Sequence, residues 1–220
     1  MEAKPIGARR ARWRAPPIPI HPLPVILGFL LGSIPWGLWI GRARGVDLRT
    51  VGSGNIGATN AFRVLGAGVG AVVFALDALK GTAAVLLAAD LATQIAAGVA
   101  SILGHIFSPW VRFKGGRGVA TSLGVFLALL PVPSVLAFSL WVVLVAISRR
   151  VSVGSIGAAL AYPFLAAFFL AGNPHRVALV VTASLIAALL LVRHVPNLRR
   201  LLAGTEPPTF GRKEPKGGTT

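Results

Sequence analysis

Long apolar stretches without charged residues recur along this sequence, and they constrain its fold more than any other feature. Leu23 to Gly41 holds no charge, and Gly118 to Ser148 is a still longer run of the same kind. About 20 apolar residues suffice for a helix to cross a bilayer, where the backbone must satisfy its own hydrogen bonds. The pattern therefore predicts an all-α polytopic membrane protein. A hydrophobic content of 55% leaves little chain for a soluble domain.

The basic residues between these stretches predict seven transmembrane helices. One straight helix over Gly118–Ser148 would exceed a hydrocarbon core of about 30 Å, and Pro131 and Pro133 interrupt it, so we expect two short spans there. With seven spans and the N-terminus outside, the loops richest in Arg and Lys all face the cytoplasm, as the positive-inside rule requires. The C-terminus is then cytoplasmic as well. If Gly118–Ser148 formed a single span instead, the later loops would change sides and the polar segments would lie on opposite faces of the membrane.

The membrane domain is expected to cover residues 23–206. The basic, proline-containing residues 1–22 and the Pro/Gly/Lys-rich residues 207–220 are expected to be disordered tails. The formal net charge of +16 does not indicate nucleic acid as a partner, because most of the cations lie between spans, where they meet anionic headgroups of the lipid bilayer. The chain has no cysteine and only six scattered acids, so we expect no thiolate nucleophile, metal or cofactor.

Residues 52–63, GSGNIGATNAFR, carry the densest group of phosphate-binding residue types in the chain. Ser53 provides a hydroxyl, and Arg63 provides a planar cation that suits phosphate. Glycines allow a concave turn whose N–H groups face an anion, and amide and hydroxyl side chains add donors. The other candidate phosphate-binding residues of this loop are Gly52, Gly54, Asn55, Thr59 and Asn60.

The glycines of this loop also match the dinucleotide-binding fingerprint G-x-G-x-x-G, through Gly52, Gly54 and Gly57. That fingerprint requires a preceding strand within a βαβ unit. A membrane span precedes these glycines, so we reject a nucleotide-binding interpretation.

Two further polar segments are expected on the same side of the membrane. Residues 114–121, KGGRGVAT, open a helix, and glycines between two cations predict an anion site built from backbone N–H groups and the helix dipole. Residues 194–206, HVPNLRRLLAGTE, place His194 and Asn197 on one helical face. The candidate binding residues of the first segment are Lys114, Gly115, Gly116 and Arg117.

Three ionisable residues lie within the predicted spans. Asp77 and Lys80 are three residues apart and share a helical face. Charges at membrane depth are costly, so this pair is either a structural ion pair or part of the site. His105, alone in its span, is more typical of a hydrogen-bonded packing residue than of a ligand.

Together the three polar segments resemble the bacterial acyl-phosphate:glycerol-3-phosphate acyltransferase family. VGSGNIGATNAFRVLG resembles its first motif, LGH with FKGGRGVAT its second and RHVPNLRRLLAGTE its third, and the resemblance covers about residues 23–206. It implies a seven-helix enzyme of the bacterial inner membrane with its active site facing the cytoplasm. The implied reaction moves a fatty acyl group from acyl phosphate to the 1-hydroxyl of glycerol 3-phosphate, giving lysophosphatidate and phosphate. An upstream enzyme that forms the acyl phosphate is an implied partner.

The resemblance also implies roles for individual residues. Ser53 and Arg63 match the essential serine and arginine of the first motif, and His194 and Asn197 match the polar pair of the third. We take these four as the candidate catalytic residues. Ser152 matches a serine near the glycerol phosphate.

Arg117 stands where the family usually has a lysine. This departure keeps the charge but changes the hydrogen-bonding geometry. The basic tail of residues 1–22 also lies outside the family pattern.

The implied reaction needs no covalent enzyme nucleophile, because an acyl phosphate is already activated. The glycerol hydroxyl must lose a proton either to His194 or to a non-bridging oxygen of the donor, and we favour the donor oxygen. The H-x-x-x-x-D motif of another acyltransferase class is absent, which argues against acyl-CoA as the donor.

The main alternative is a transporter of small anions or phosphate esters, but such folds use inverted repeats that are not visible here. A scaffold role would not explain three phosphate-type loops.

Overall fold

The computed structural model describes residues 19–209, which form helices joined by short connections and contain no strand. The all-α prediction is confirmed for this part of the chain. Most of the predicted tails, 1–22 and 207–220, lies outside it, at residues 1–18 and 210–220. The helices are α1 Pro22–Ser33, α2 Trp36–Ala43, α3 Ala58–Leu65, α4 Ala67–Leu86, α5 Leu91–Ile106, α6 Val119–Leu129, α7 Pro131–Ser148, α8 Val151–Phe169, α9 Arg176–Arg193 and α10 Val195–Leu202, with a 3₁₀ turn at Pro109–Val111.

Six apolar stretches of these helices are long enough to cross a membrane, and α6 is a shorter apolar helix. With 11 residues, α6 measures about 16 Å at 1.5 Å per residue, roughly half of a hydrocarbon core. The chain is therefore an integral membrane protein, while the count of seven spans and the sidedness of the termini remain predictions. The six stretches are Pro22–Ala43, Ala67–Leu86, Leu91–Val111, Pro131–Ser148, Val151–Phe169 and Arg176–Arg193.

Prolines divide two of the apolar stretches as their chemistry requires. Pro35 cannot donate a backbone hydrogen bond and forces Ile34 into an extended conformation (φ −60°, ψ 117°), which separates α1 from α2. The Ile34 carbonyl is left without a helical partner and accepts a hydrogen bond from Lys80 Nζ at 2.8 Å. Pro131 starts α7 directly after Leu130, the residue that ends α6, so the predicted division of 118–148 is confirmed.

Glycines allow α1 and α6 to pack against the backbones of their neighbours. A Cβ atom at Gly28 or Gly32 of α1 would overlap the carbonyl oxygens of Ala97 or Ser101 of α5. Gly124 of α6 meets the backbone of Ala78 of α4 in the same way. The contact at Gly124 holds the short α6 closely against α4, and the N-terminus of α6 meets the polar loops.

The packed region extends beyond the expected boundary at Glu206. The Thr209 N–H donates to the Arg149 carbonyl at 2.8 Å, and the Thr209 hydroxyl accepts from the Val151 N–H at 2.9 Å. Thr209 is buried. The chain after α10 therefore folds back over the start of α8 and closes one side of the site described below.

Candidate active site

The three polar segments meet around two adjoining cavities. The first, here called the histidine cavity, is lined by residues of 52–63, by Arg117 and by His194. The second, the arginine cavity, is lined by Arg63, Ser152 and Asn197. Ser53, Thr59 and Arg117 line both cavities. The structure therefore gathers residues from all three segments into one polar region.

Asn60 shapes the 52–63 loop from within. Its Oδ1 accepts the Ser53 N–H at 2.8 Å, and its Nδ2 donates to the carbonyls of Leu48 and Val51, both at 3.0 Å. With only 1% of its surface exposed, Asn60 satisfies the loop backbone and leaves the Ser53 side chain facing the cavities. A Cβ atom at Gly52, whose φ is +62°, would overlap Asn60 Oδ1, so glycine is required there.

Neighbouring donors of this loop are also used internally. Asn55 Oδ1 accepts the Gly57 N–H at 2.8 Å, and the Gly54 N–H donates to the Val51 carbonyl at 3.1 Å. Asn55 and Asn60 still line the histidine cavity, whereas Gly52 and Gly54 line neither cavity. The donors left for an anion are therefore mainly side chains, above all Ser53, Thr59 and the arginines.

The N–H groups of Gly115 and Gly116, which we expected to bind an anion, are already used within the protein. These groups donate to the carbonyls of Ile106 and His105 at the end of α5, at 3.0 and 3.2 Å. Glycine is needed at both positions for close approach, because a Cβ atom would overlap the His105 carbonyl or its imidazole. The two residues shape the loop, and the N-terminus of α6 beyond them faces the histidine cavity through Gly118, Val119 and Ala120.

The two cations of this segment have different surroundings. Lys114 is exposed and lines neither cavity, so the structure does not bring it to the site. Arg117 lines both cavities, and burial, reinforced by Arg200, lowers its pKa to about 10 against the opposing effect of Glu206. Arg117 therefore stays protonated at neutral pH.

The arginine cavity carries an excess of positive charge. Among the described residues that line it, three guanidinium groups face the single carboxylate of Glu206. Burial lowers the pKa of Arg63, and its Nε has no hydrogen-bond partner within residues 19–209. Partly desolvated cations without matching carboxylates favour an anionic ligand, and phosphate suits guanidinium geometry.

Glu206 is one of the lining residues that the sequence interpretation left out, together with Arg200 in the same cavity and with Asp77 and His105 in the histidine cavity. Its Oε1 accepts from Asn197 Nδ2 and its Oε2 from Arg200 Nε, each at 2.7 Å. Burial raises the pKa of this carboxyl, but the hydrogen bonds from Asn197 and Arg200 outweigh burial and hold the pKa below its usual value. The signal was available, since Glu206 is one of only six acids in the chain and lies within the third polar segment.

His194 is buried and neutral. Its Nδ1 lies 2.7 Å from the Leu190 carbonyl oxygen, which can only accept, so Nδ1 carries the proton and Nε2 is left with its lone pair. Burial, reinforced by the charge of Arg117, lowers its pKa to about 4 although the Leu190 contact opposes the shift. His194 is therefore suited to accept a hydrogen bond and is a weak base.

A third pocket, the apolar pocket, adjoins the histidine cavity. The two share Val119, Trp141 and Ser155 on their common wall. The apolar pocket runs between α6, α7, α8 and α9 along a stretch of eight residues on each helix, which is about 10 Å for seven rises of 1.5 Å. At its far end, the rings of Phe126 and Tyr162 pack at 4.6 Å. An apolar chain and a phosphate group would thus find complementary surfaces side by side.

Comparison with known proteins gives concordant results over nearly all of the described chain. A sequence profile of glycerol-3-phosphate acyltransferases matches residues 23–204. A glycerol-3-phosphate acyltransferase from Trichlorobacter lovleyi is 47% identical over 81% of this chain and 92% of the relative. One from Geobacter sulfurreducens is 45% identical over 82% of this chain and 93% of the relative.

Two solved structures share the fold. The crystal structure of PlsY (YgiH), an integral membrane glycerol 3-phosphate acyltransferase, in its glycerol 3-phosphate form has a TM-score of 0.79 and 43% identity. The lysophosphatidic acid form of the same enzyme has a TM-score of 0.76 and 41% identity. Each alignment covers 86% of this chain and 94% of the solved chain.

Proposed function

Since this chain belongs to the glycerol-3-phosphate acyltransferase family, we propose that it transfers a fatty acyl group from an acyl phosphate to the 1-hydroxyl of sn-glycerol 3-phosphate. The chain is a membrane acyltransferase that acts on glycerol 3-phosphate. The products are 1-acylglycerol 3-phosphate, or lysophosphatidate, and inorganic phosphate. The observation that carries this proposal is the direct contact between a cation-rich polar site and an apolar pocket.

The arginine cavity is proposed to hold the phosphate of the acceptor. Arg63 and Arg117 bind its oxygens, and Ser53, Ser152 and Asn197 supply neutral polar groups around it. Glu206 fixes the Asn197 amide by accepting from Nδ2, which leaves the buried Asn197 Oδ1 without a partner within residues 19–209. This oxygen is available to a glycerol hydroxyl. The solved glycerol 3-phosphate form of the related enzyme supports this class of ligand.

The donor is proposed to place its acyl chain in the apolar pocket and its phosphate in the histidine cavity. The reacting carbonyl then lies at their common wall, beside the N-terminus of α6 and Arg117. The acceptor oxygen attacks the carbonyl carbon, the bond from that carbon to the phosphate oxygen breaks, and the phosphate leaves. The proton of the acceptor hydroxyl moves to a non-bridging oxygen of that phosphate.

Positioning and charge compensation are the main catalytic contributions of the protein. Two phosphorylated substrates repel each other, and Arg63 and Arg117 offset that repulsion while holding them together. Orientation of two reactants contributes about 7–11 kcal/mol at best. Cations and α6 N–H groups near the carbonyl stabilise negative charge that develops there. His194, a weak base with a pKa of about 4, orients the acceptor hydroxyl through Nε2.

The enzyme is proposed to reside in the bacterial inner membrane with its polar loops facing the cytoplasm. The concentration of Arg and Lys in those loops supports this orientation. Glycerol 3-phosphate is water-soluble and reaches the site from the aqueous side, whereas an acyl phosphate is amphiphilic and reaches it from the bilayer. An enzyme that forms the acyl phosphate acts upstream.

The decisive experiment compares acyl donors with the purified protein in detergent. Acyl phosphate, acyl-CoA and acyl carrier protein are each supplied with labelled glycerol 3-phosphate. We expect product only when acyl phosphate is the donor, with lysophosphatidate and inorganic phosphate formed in equal amounts. Turnover with acyl-CoA and none with acyl phosphate would overturn the proposed donor, and uptake of label into vesicles without any product would favour a transporter.

A further inference from the structure

The buried charged cluster formed by Asp77, Lys80 and His105 has no part in the steps proposed above, although Asp77 and His105 line the histidine cavity. Lys80 Nζ is 2.8 Å from Asp77 Oδ1, and His105 Nδ1 is 3.5 Å from the same oxygen. Their side chains are only 4%, 4% and 8% exposed. Burying such groups inside a membrane bundle is costly, and apolar residues of similar volume often stabilise a fold as well or better. The cluster therefore needs an explanation beyond stability.

One side of the cluster leads to the loop that carries Arg117. The His105 carbonyl accepts a hydrogen bond from the Gly116 N–H, and the Ile106 carbonyl accepts one from the Gly115 N–H. The His105 imidazole also packs so closely on Gly116 that a Cβ atom there would overlap the ring. The position of His105 therefore sets the position of both peptide groups. The next residue is Arg117, which lines both polar cavities.

The same two peptide groups are held from the opposite side. Arg193, at the end of α9, donates through Nη2 to the carbonyls of Gly115 at 3.3 Å and Gly116 at 3.2 Å. The loop is thus clamped between α5 and α9. In contrast to Arg117, Arg193 lines neither polar cavity, so it acts on the loop rather than on a ligand.

The other side of the cluster leads to the 52–63 loop. Lys80 Nζ donates to the Ile34 carbonyl at the break between α1 and α2. Just beyond this break, Gly37 packs directly on the carbonyl of Ile56. Ile56 lies between Ser53 and Thr59, which both line the polar cavities. The cluster therefore connects the supports of both phosphate loops.

We propose that Asp77, Lys80 and His105 are positioning residues that fix the Arg117 loop against the Ser53 loop, with Arg193 as the clamp on the far side. The alternative is an ion pair that serves stability alone. The two hypotheses predict different kinetics. A purely structural ion pair can be replaced by neutral residues of similar shape without loss of activity, whereas replacement of positioning residues lowers activity. This inference rests on the proposed function only for the choice of assay substrates.

The test uses the neutral pair Asp77→Asn/Lys80→Met, which avoids leaving one charge unpaired. We expect a thermal midpoint close to wild type and a fall in kcat/KM of about tenfold or more, expressed mainly as a higher KM for a phosphorylated substrate. We further expect this loss to shrink when Arg117 is already alanine, because both changes then remove the same interaction. Wild-type kinetics in the folded neutral pair, or losses that multiply fully in the Arg117→Ala background, would overturn the proposal.

Two further variants decide the matter if the neutral pair does not fold. His105→Asn retains an amide near the position of Nδ1 and is expected to recover much of the kcat/KM lost in His105→Ala. Ser101→Ala is the matched control, because Ser101 is buried on the same helix and bonds only to the Gly98 carbonyl. Equal kinetics in both His105 variants, or a loss in the control as large as that in His105→Ala, would contradict positioning. Absence of turnover in the wild type with acyl phosphate would instead count against the proposed donor.

Discussion

Asn60 illustrates how a residue type that suits phosphate binding can have another role. Amide side chains in a glycine-rich loop favour an anion site, yet both ends of this amide are bonded to the backbone of the loop itself. The Asn60 amide fixes the main chain of Ser53, so that the Ser53 side chain faces the cavities. The amide therefore contributes to the site by preorganising a neighbour.

Replacing Asn60 tests this role. Asn60→Ala removes three hydrogen bonds and leaves buried backbone groups unsatisfied, so we expect the free energy of unfolding to fall by about 1–3 kcal/mol, together with a loss of turnover. Thermal unfolding in detergent and initial rates measure the two effects. Asn173→Ala, which removes an exposed contact with the His175 N–H, is the control and should change neither. A stable and fully active Asn60→Ala would refute the role.

Arg117 provides a prediction about pH. Burial lowers its pKa to about 10, and the same burial would lower the pKa of a lysine, whose ordinary value is already below that of arginine. Arg117→Lys should therefore lose activity at a lower pH than the wild type as the pH rises, because its cation is deprotonated first. Rate profiles from pH 6 to 9.5 with both proteins, corrected for spontaneous donor hydrolysis, measure this. Identical profiles would show that Arg117 is not needed as a cation.

His194 allows the two proton acceptors to be distinguished. With a pKa of about 4 it is neutral throughout the range above pH 5, so its titration should leave no inflection in kcat/KM there. A general base contributes about a hundredfold or more, and we expect His194→Gln, which retains a hydrogen-bonding group, to lose less than that. An inflection near pH 6.5 that disappears in the glutamine variant would establish histidine as the base.

At the scale of the elements, four helices line the length of the apolar pocket, and Phe74 of α4 lines it where it meets the histidine cavity. Each of the four contributes a stretch that begins at the polar site and ends near the Tyr162 and Ser134 hydroxyls, which bond to each other at 3.0 Å. Small residues line α9 along this path, with Ala183 deep in the pocket and Ala187 one turn closer to His194. The helices therefore create an apolar space whose depth is limited by a fixed floor.

Filling this space at two depths tests whether it holds the acyl chain. Ala183→Phe should reduce kcat/KM for long-chain donors more than for short-chain ones, whereas Ala187→Phe, closer to the polar site, should impair all donors. Leu185→Phe on the exposed face of α9, where the side chain is 66% accessible, is the matched control. Measurements with acyl phosphates of graded length give the profile. If neither alanine variant alters the profile, the chain binds elsewhere.

At the scale of the whole molecule, the short α6 determines where the chemistry takes place. Because α6 is about half as long as a hydrocarbon core, its N-terminus and the attached loop reach towards the interior of the bundle, beside Asp77 and His105. Loops from distant parts of the chain converge there, between aqueous substrate and lipid. The architecture thus brings together two substrates that prefer different solvents.

The predicted topology can be tested directly because the natural chain has no cysteine. Single cysteines at Thr50, Lys114 and Thr205, which are exposed in the connecting segments, should react with an impermeant thiol reagent from the cytoplasmic side alone. A cysteine at Asn173, between α8 and α9, should react from the opposite side. Labelling of the first three positions from different sides would contradict a common site and the seven-span count.

The order of amino acids alone determined which stretches are apolar enough to enter the membrane, that prolines would divide the stretch at 118–148, and which three segments carry polar chemistry. These features depend on local residue types, so they can be read without knowing the fold. Ser53, Arg63, Arg117, His194 and Asn197 belong to these segments, whereas Ser152 became a candidate only through the family resemblance. The structure gathers all six around the two polar cavities. The break at Pro35 within the first stretch was not predicted.

Only the tertiary structure decided what each polar group does. Lys114 and Arg117 are both cations beside glycines, yet Arg117 alone of the two lines the cavities. The N–H groups of Gly115 and Gly116 are used by α5, and Glu206 orients Asn197. The physical reason is that a hydrogen bond or ion pair is satisfied by whichever group the packing of distant helices brings within reach, and residue type alone does not specify that partner.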